Sequence, residues 1–160
     1  MSLPANYAAY TGSQAFAGRG SILQYTTSVP SVPYTAAAEL KTITFGGMKY
    51  DMADVTNFES SNFKEWLPTL ADSGDLGYTG NLVPNDATEI ALRGFFNTAT
   101  LVSWQVVLPA NVAQGYPNSL GGWTFKGYVI EISMAIPVEK EATITGKIKI
   151  TGEIFPVVGS

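Results

Sequence analysis

Two segments near the end of the chain alternate with a period of two residues. One apolar series is Tyr128, Ile130, Ile132, Met134 and Ile136, and the other is Ile144, Gly146, Ile148 and Ile150. Successive side chains of a β-strand point to opposite faces, so this period is typical of strands. Because only the polar segment PVEKEA separates the two segments, they are predicted to pair antiparallel.

Shorter alternating segments predict further strands, and one segment predicts a helix. The strands are expected at residues 21–27, 40–45, 76–82 and 101–108. The helix is expected to begin after an N-cap at Asp86, with Glu89 completing a capping box, and to end near Asn97. Its apolar face is predicted from Ile90, Leu92 and Phe95 or Phe96.

These elements together predict an all-β protein with one α-helix, either a β-sandwich or a partly closed barrel packed against that helix. Most of the 160 residues are assigned to one domain, residues 19–155. Residues 1–18 are small, uncharged and aperiodic, and are predicted to form a flexible N-terminal arm. Residues 156–160 are predicted to form a short C-terminal tail.

The composition narrows the possible functions. The chain has no Cys and no His, which removes thiolate nucleophiles, imidazole bases and the usual zinc ligands. No catalytic residue, metal site or cofactor is predicted. The net charge is −4 and the basic residues are scattered, which disfavours tight binding to DNA phosphates. No apolar run is suited to a membrane helix, so no membrane partner is expected.

Residues 48–75 show no sustained period, so a long irregular loop is predicted there. Loops of this length inside a compact domain are uncommon and are usually functional.

An ordered series of residues around this loop resembles the major tail tube protein family of long-tailed phages. The strand ELKTITFGG is followed by Asp54-Val55-Thr56, Ser60 and Glu65, and then by an Asp72-Ser73-Gly74-Asp75 turn, a strand and the capped helix. The segment WTFKGYVIEISMAIPVEKEATITGKIKITGEI resembles the closing hairpin of the family. Thr69 stands where the family often carries Gly.

The resemblance implies a β-sandwich with one helix, assembled as hexameric rings that stack into a hollow tube through which DNA passes without specific binding. It also implies a place in the virion tail after assembly in the host cytoplasm. The implied partners are further copies of the chain and the tail-tip, tape-measure and terminator proteins of the phage.

Two groups of residues are candidates for contacts within such a tube. The long loop is expected to supply the ring-stacking surface, with apolar anchors at Phe58, Phe63, Trp66 and Leu67. The alternative is that these four side chains pin the loop onto its own domain. The candidates for the lumen wall are Glu131, Ser133, Thr145, Lys147 and Lys149.

Other classes of protein remain open at this point. Asp51 with Asp54, or Asp72 with Asp75, could form the paired carboxylates of a glycosidase-like site, although acids in such loops are far more often turn formers. The turn at residues 72–75 faintly suggests a calcium loop. A carbohydrate-binding β-sandwich would use exposed tryptophans from Trp66, Trp104 and Trp123, although Trp104 is expected in the core. A tube protein of a contractile tail or a secretion machine is an alternative within the same class.

Overall fold

A computed structural model describes residues 17–27 and 33–160. Within these residues the chain forms nine strands, one α-helix and a 3₁₀ turn. Their bounds are β1 Ile22–Thr26, β2 Thr35–Ala36, β3 Leu40–Phe45, β4 Lys49–Asp54, β5 Trp66–Asp72, β6 Asp75–Asn81, α1 Ala87–Thr98, β7 Val102–Val107, the 3₁₀ turn Val112–Gln114, β8 Gly122–Ala135 and β9 Thr143–Val157. The predicted all-β class with one helix is confirmed.

Seven strands form one sheet in the order β2-β1-β7-β8-β9-β6-β3. The sheet curls so that β1 approaches β3, which gives the partly closed barrel that the strand pattern predicts. The concave side holds the core, and α1 packs over it against β8. Trp104, expected in the core, is fully buried there.

The long ribbon of β8 and β9 is the centre of this sheet. The two strands pair antiparallel from Gly122 opposite Val157 to Ala135 opposite Thr143, which confirms the predicted pairing. A β-bulge interrupts the ladder, because Val129 lies opposite Ile148 but the next pair is Glu131 with Lys147.

The bulge overturns the predicted apolar face of β8. Because Ile130 is the extra residue, Val129 is buried in the core, whereas Tyr128 and Ile130 are exposed. Ile132 packs against the core, and Met134 beyond it is exposed. The predicted common face for Tyr128, Ile130 and Met134 was therefore wrong, since a single inserted residue exchanges the two faces of a strand.

The helix α1 begins where the sequence predicts, with the predicted N-cap but without the reciprocal hydrogen bond of the capping box. The Thr88 amide donates to the Asp86 carboxylate at 3.1 Å, which confirms the N-cap. The reciprocal capping-box bond is replaced, since the Asp86 amide donates to the Val83 carbonyl at 3.2 Å. Glu89 instead accepts from Arg93 at 3.0 Å.

The buried face of α1 is also narrower than predicted. Leu92 is buried, and Phe95 makes edge contacts with Tyr25 and Trp104. Ile90 and Phe96 are each about half exposed, so Ile90 does not share the core face with Leu92. The reason is geometric, since residues two apart on a helix point in widely different directions.

Residues 48–75 form a hairpin rather than the irregular loop that was predicted. Strands β4 and β5 make a separate two-stranded sheet, from Lys49 opposite Asp72 to Asp54 opposite Trp66. A register shift lies beside Asp51, whose carbonyl accepts from the Thr69 hydroxyl at 2.8 Å. No apolar alternation marks these strands because neither of their faces is buried.

The predicted terminal segments differ in what the structure describes. Most of the predicted arm, residues 1–16, lies outside the described residues. In the predicted tail, β9 continues to Val157, and the Ser160 carbonyl accepts from the amides of Asn118 and Ser119 at 2.9 and 3.0 Å. Among the residues described, no helix combines the length and the apolar run required to cross a bilayer.

Candidate assembly surfaces

The β4–β5 hairpin displays apolar side chains outside the domain. Phe58 is fully exposed, Phe63 is 80% exposed, and Trp66 and Leu67 are each about half exposed. Further exposed apolar residues on the same hairpin and its entry are Met48, Tyr50, Met52, Val55 and Leu70. A two-stranded hairpin is at best marginally stable alone in water. A group of exposed apolar side chains on one element is typical of an interaction surface.

The tip of the hairpin is nevertheless held in one shape by its own polar side chains. The Thr56 amide donates to the Asp54 carboxylate at 3.0 Å, and the Thr56 hydroxyl accepts from the Glu65 amide at 2.9 Å. The Ser60 hydroxyl donates to the Glu65 carboxylate at 2.8 Å and accepts from the Asn57 amide at 3.0 Å. The hydrogen bonds from Thr56 also lower the pKa of Asp54.

These residues are the ones that carry the resemblance in the sequence. Asp54, Thr56, Ser60 and Glu65 therefore shape the loop that presents Phe58 and Phe63. A shaped loop binds more tightly than a disordered one, because less ordering is required when the contact forms.

The base of the hairpin is tied to β9 by an ion cluster. The Lys149 ammonium lies 3.0 Å from the Asp72 carboxylate and 3.4 Å from that of Asp75. The Gly74 amide also donates to Asp72 at 2.8 Å. The amide of Gly74 and the ammonium of Lys149 lower the pKa of Asp72, and the bond to Asp72 raises the pKa of Lys149.

This arrangement bears on the calcium and glycosidase interpretations of the turn. A lysine ammonium sits between the two carboxylates that a cation would bind. Within the described residues, no group of three or more acidic side chains could hold a metal ion. Asp54 caps the hairpin tip, so three of the four acids considered for a paired site have structural hydrogen bonds or ion pairs.

The five candidates for the lumen wall lie on one face of the main sheet, opposite the core. Ser133 lies opposite Thr145 and Glu131 opposite Lys147, while Lys149 lies between Tyr128 and Asp75. The same face carries polar residues that sequence reasoning missed, namely Gln24, Thr42, Thr79, Gln105 and Thr124.

This polar face combines hydroxyl groups with balanced charges. Thr42, Thr79, Thr145 and Ser133 form a row across four strands. Lys147 and Lys149 each lie opposite an acid in the register. The face therefore offers hydrogen-bonding groups and charges of both signs, and it includes a third lysine, Lys126, opposite Ser103 and Thr151. The row of hydroxyl groups could be found only from the strand register, because it joins strands that are far apart in sequence.

The central ribbon also leaves two lengths of strand edge open. β8 pairs with β7 only through residues 122–127, and β9 pairs with β6 only through residues 143–149. Among the described residues, no strand lies beside residues 128–135 of β8 or 151–157 of β9 on these sides. Unpaired strand edges are templates for pairing with another chain. We refer to these two segments as the half-edges.

The tryptophans are divided between the core and the surface. Trp104 is buried and donates to the Gly127 carbonyl at 3.2 Å. Trp66 lies on the hairpin, with the Lys64 ammonium 6.0 Å from its ring centroid, and Trp123 makes an edge contact with Phe45.

Comparison with known proteins gives one family match and several similar structures. The sequence model described as "Lambda phage tail tube protein, TTP" matches residues 16–155. No curated protein matches the sequence. The fold is similar to the tail of an empty gene transfer agent particle, refined with C6 symmetry (18% identity, TM-score 0.68, 90% of this chain and 100% of that chain).

Two other solved structures share the fold. One is the SPP1 tail tube (13% identity, TM-score 0.64, 91% of this chain and 80% of that chain). The other is the tube-terminating cap of the anti-feeding prophage (10% identity, TM-score 0.64, 99% of this chain and 100% of that chain).

Proposed function

Because the chain belongs to the lambda phage tail tube protein family, we propose that it assembles into hexameric rings that stack into a hollow tube for DNA. It is a structural subunit of the tail tube, and its place is the virion tail. The six-fold symmetry of the similar gene transfer agent tail supports the hexameric ring.

The observation that carries the stacking proposal is the apolar hairpin. Phe58 and Phe63 project from a shaped tip, and none of the aromatic side chains of the hairpin belongs to the core of the described residues. A contact made by such a projection on a different surface of the next copy is head-to-tail, and such contacts propagate along a filament. Phe58, Phe63, Trp66 and Leu67 are the proposed anchors between rings.

The half-edges are the proposed sites of contact between neighbouring subunits of one ring. Each half-edge has seven or eight residues with no strand on its open side in the described part of the chain, although the Gly152 carbonyl accepts from the Ser73 hydroxyl. This length can accept a strand of ordinary length from a neighbouring subunit. Joining the sheets in this way would extend the polar face around a closed wall. We propose that this face lines the lumen.

The balanced charge of the polar face suits a DNA conduit. A wall with several uncompensated lysines would bind phosphates at many points and hold the DNA. Here Lys149 is paired with Asp72 and Asp75, and Lys147 faces Glu131. With Lys126 opposite Ser103 and Thr151, the wall carries charges of both signs rather than acids alone.

The partners and the absence of catalysis are part of the same proposal. The fold shared with a tube-terminating cap supports a terminator at the end of the tube, and a tape-measure protein and tail-tip proteins complete the proposed set. We assign no enzymatic activity, since three of the four acids considered for catalysis, Asp54, Asp72 and Asp75, are engaged in hydrogen bonds or ion pairs.

The stacking proposal is tested by replacing both exposed aromatics, Phe58→Ser with Phe63→Ser. Neither side chain is packed, so the thermal unfolding temperature of the monomer is expected to stay unchanged, while electron microscopy shows no long tubes. The matched control is Val138→Ser, at an equally exposed position in the β8–β9 turn.

Normal tubes from the double variant would contradict the stacking role. Substitution is preferable to deleting residues 62–70, because the deletion would remove most of β5 and with it the hairpin itself.

A further inference from the structure

The junction between the hairpin and the main sheet is built from closely crossing backbones. The chain enters β4 through Gly46 and Gly47 and leaves β5 through Ser73 and Gly74. Gly47 and Gly74 have φ of 97° and 77°, in the region that favours glycine, and a Cβ on Gly74 would overlap the Gly47 carbonyl. Both connections therefore bend sharply where the hairpin leaves the sheet.

The contacts that hold this junction come mainly from one segment of β9. The Ile150 amide donates to the Gly74 carbonyl at 3.1 Å, and the Ser73 hydroxyl donates to the Gly152 carbonyl. Lys149 adds its ion pairs to Asp72 at the end of β5 and to Asp75 at the start of β6. Beyond this junction the hairpin strands pack mainly on each other.

We infer that Lys149 is a positioning residue for assembly, which fixes the direction in which the β4–β5 hairpin leaves the sheet by holding Asp72 and Asp75 together. The inference rests on the proposed stacking role of the hairpin. The hairpin joins the sheet through two glycine bends, and within the described residues its strands pack mainly on each other. It therefore needs the ion pairs of Lys149 to keep one orientation. Only a hairpin of fixed direction presents its anchors where the next ring can accept them.

The ion pairs of Lys149 fix the orientation of the hairpin and add little to the free energy of folding. Lys149 and Asp72 are both substantially exposed, and exposed ion pairs contribute little to the free energy of folding. The loss of Lys149 is therefore expected to leave the main sheet intact. Lys147 is the matched comparison, because it lies on the same face of β9 but makes no ion pair within the described part of the chain.

The direction of the hairpin can be measured in the monomer. The chain has no Cys, so Ser61→Cys at the tip and Thr145→Cys on β9 accept two spin labels at defined positions. Pulsed electron paramagnetic resonance then gives the distribution of distances between the labels. We expect one narrow distribution in the parent chain, a clearly broader one in Lys149→Met, and no change in Lys147→Met.

The variant Lys149→Arg tests whether the hairpin direction depends on the positive charge rather than on the loss of the lysine side chain. Lys149→Arg keeps a cation between the two carboxylates and is expected to restore the narrow distribution. In unlabelled protein, Lys149→Met is expected to raise the concentration needed for tube formation several-fold, whereas Lys149→Arg and Lys147→Met assemble as the parent does. High salt should broaden the parent distribution and leave that of Lys149→Met unchanged.

Each outcome bears on one of the two ideas. An unchanged distance distribution in Lys149→Met would overturn the positioning role, whatever its tubes look like. A broadened distribution with normal tube formation would show that hairpin direction does not control stacking, and would count against the proposed function of the hairpin.

Discussion

At the scale of single residues, Tyr78 and Gly146 form a matched pair at the centre of the sheet. They lie opposite each other on β6 and β9, and the Tyr78 side chain is buried over the position where Gly146 lacks a Cβ. Burial raises the pKa of Tyr78 to about 12. A Cβ on Gly146 would overlap the Tyr78 hydroxyl and ring, so the glycine provides space rather than backbone freedom.

Gly146→Ala is expected to lower the free energy of unfolding. Forcing extra volume into a packed site costs about 1–3 kcal/mol. Denaturant unfolding of the monomer measures the change. The control is Gly94→Ala in α1, where nothing lies within 4 Å of the added Cβ and a gain of about 0.5–1 kcal/mol is expected. Equal stability of the two variants would show that Tyr78 and the nearby Glu131 carbonyl move aside without cost.

The titration of Asp72 gives a second prediction at this scale. Its pKa is lowered by the Gly74 amide first and then by Lys149, with Lys49 adding a smaller effect and Asp75 sharing the Lys149 ammonium. A depressed carboxyl pKa stabilises the folded junction above the unfolded pKa of about 3.8, and this contribution is lost as the pH falls through the folded value.

Carboxyl chemical shifts measured against pH would follow Asp72 directly. In Lys149→Met the midpoint is expected to rise but to stay below the ordinary value, because the Gly74 hydrogen bond remains. A midpoint that does not move would show that the ion pair is not formed in solution.

At the scale of elements, the sequence predicts strands well where one face is buried. β3 begins and ends where the alternation predicts, and β8 pairs with β9 as predicted, because burial imposes a period of two. The faces of β8 could not be predicted, since the bulge at Ile130 ends three consecutive apolar residues, Tyr128 to Ile130, and their pattern does not show which one is extra.

The hairpin escaped prediction for the opposite reason. β4 and β5 bury neither face, so no core imposes a period of two on their side chains. The four proposed anchors could be named from the sequence because aromatics in a long aperiodic segment are conspicuous. Their arrangement on a shaped tip depends on hydrogen bonds between residues as far apart as Thr56 and Glu65.

Hydrogen exchange can test the role of the half-edges. In an antiparallel ladder, alternate amides of an edge strand point away from the sheet. Alternate amides of residues 128–135 are therefore expected to exchange rapidly in the monomer and slowly in assembled tubes. The amides of residues 122–127 serve as the control, because β7 already covers that side of β8. Rapid exchange in both states would exclude strand pairing at this half-edge.

At the scale of the whole molecule, the charge balance of the polar face matters more than the net charge of −4. Lys149 is paired with Asp72 and Asp75, and Lys147 lies opposite Glu131 in the register, whereas Lys126 on the same face lies opposite Ser103 and Thr151. The balance is a property of the register, because Lys147 and Glu131 are distant from each other along the chain but adjacent in the sheet.

Glu131→Lys is expected to make assembled tubes retain DNA. The change leaves two lysines side by side on each subunit, and the ring would repeat them around the lumen. Retention of short double-stranded DNA by tubes should increase and should fall steeply with salt. Glu139→Lys makes the same charge change in the exposed β8–β9 turn and should not retain DNA. Equal retention by both variants would place the polar face elsewhere than the lumen.

The two ends of the hairpin meet side by side, with Lys49 opposite Asp72, and this has a practical consequence for engineering. A segment that leaves and re-enters a fold at adjacent points can be exchanged as a cassette, and residues 49–72 carry their own internal hydrogen bonds. Under the proposed stacking role, transplanting the cassette between tube proteins would exchange which rings stack on each other, while each recipient keeps its own barrel.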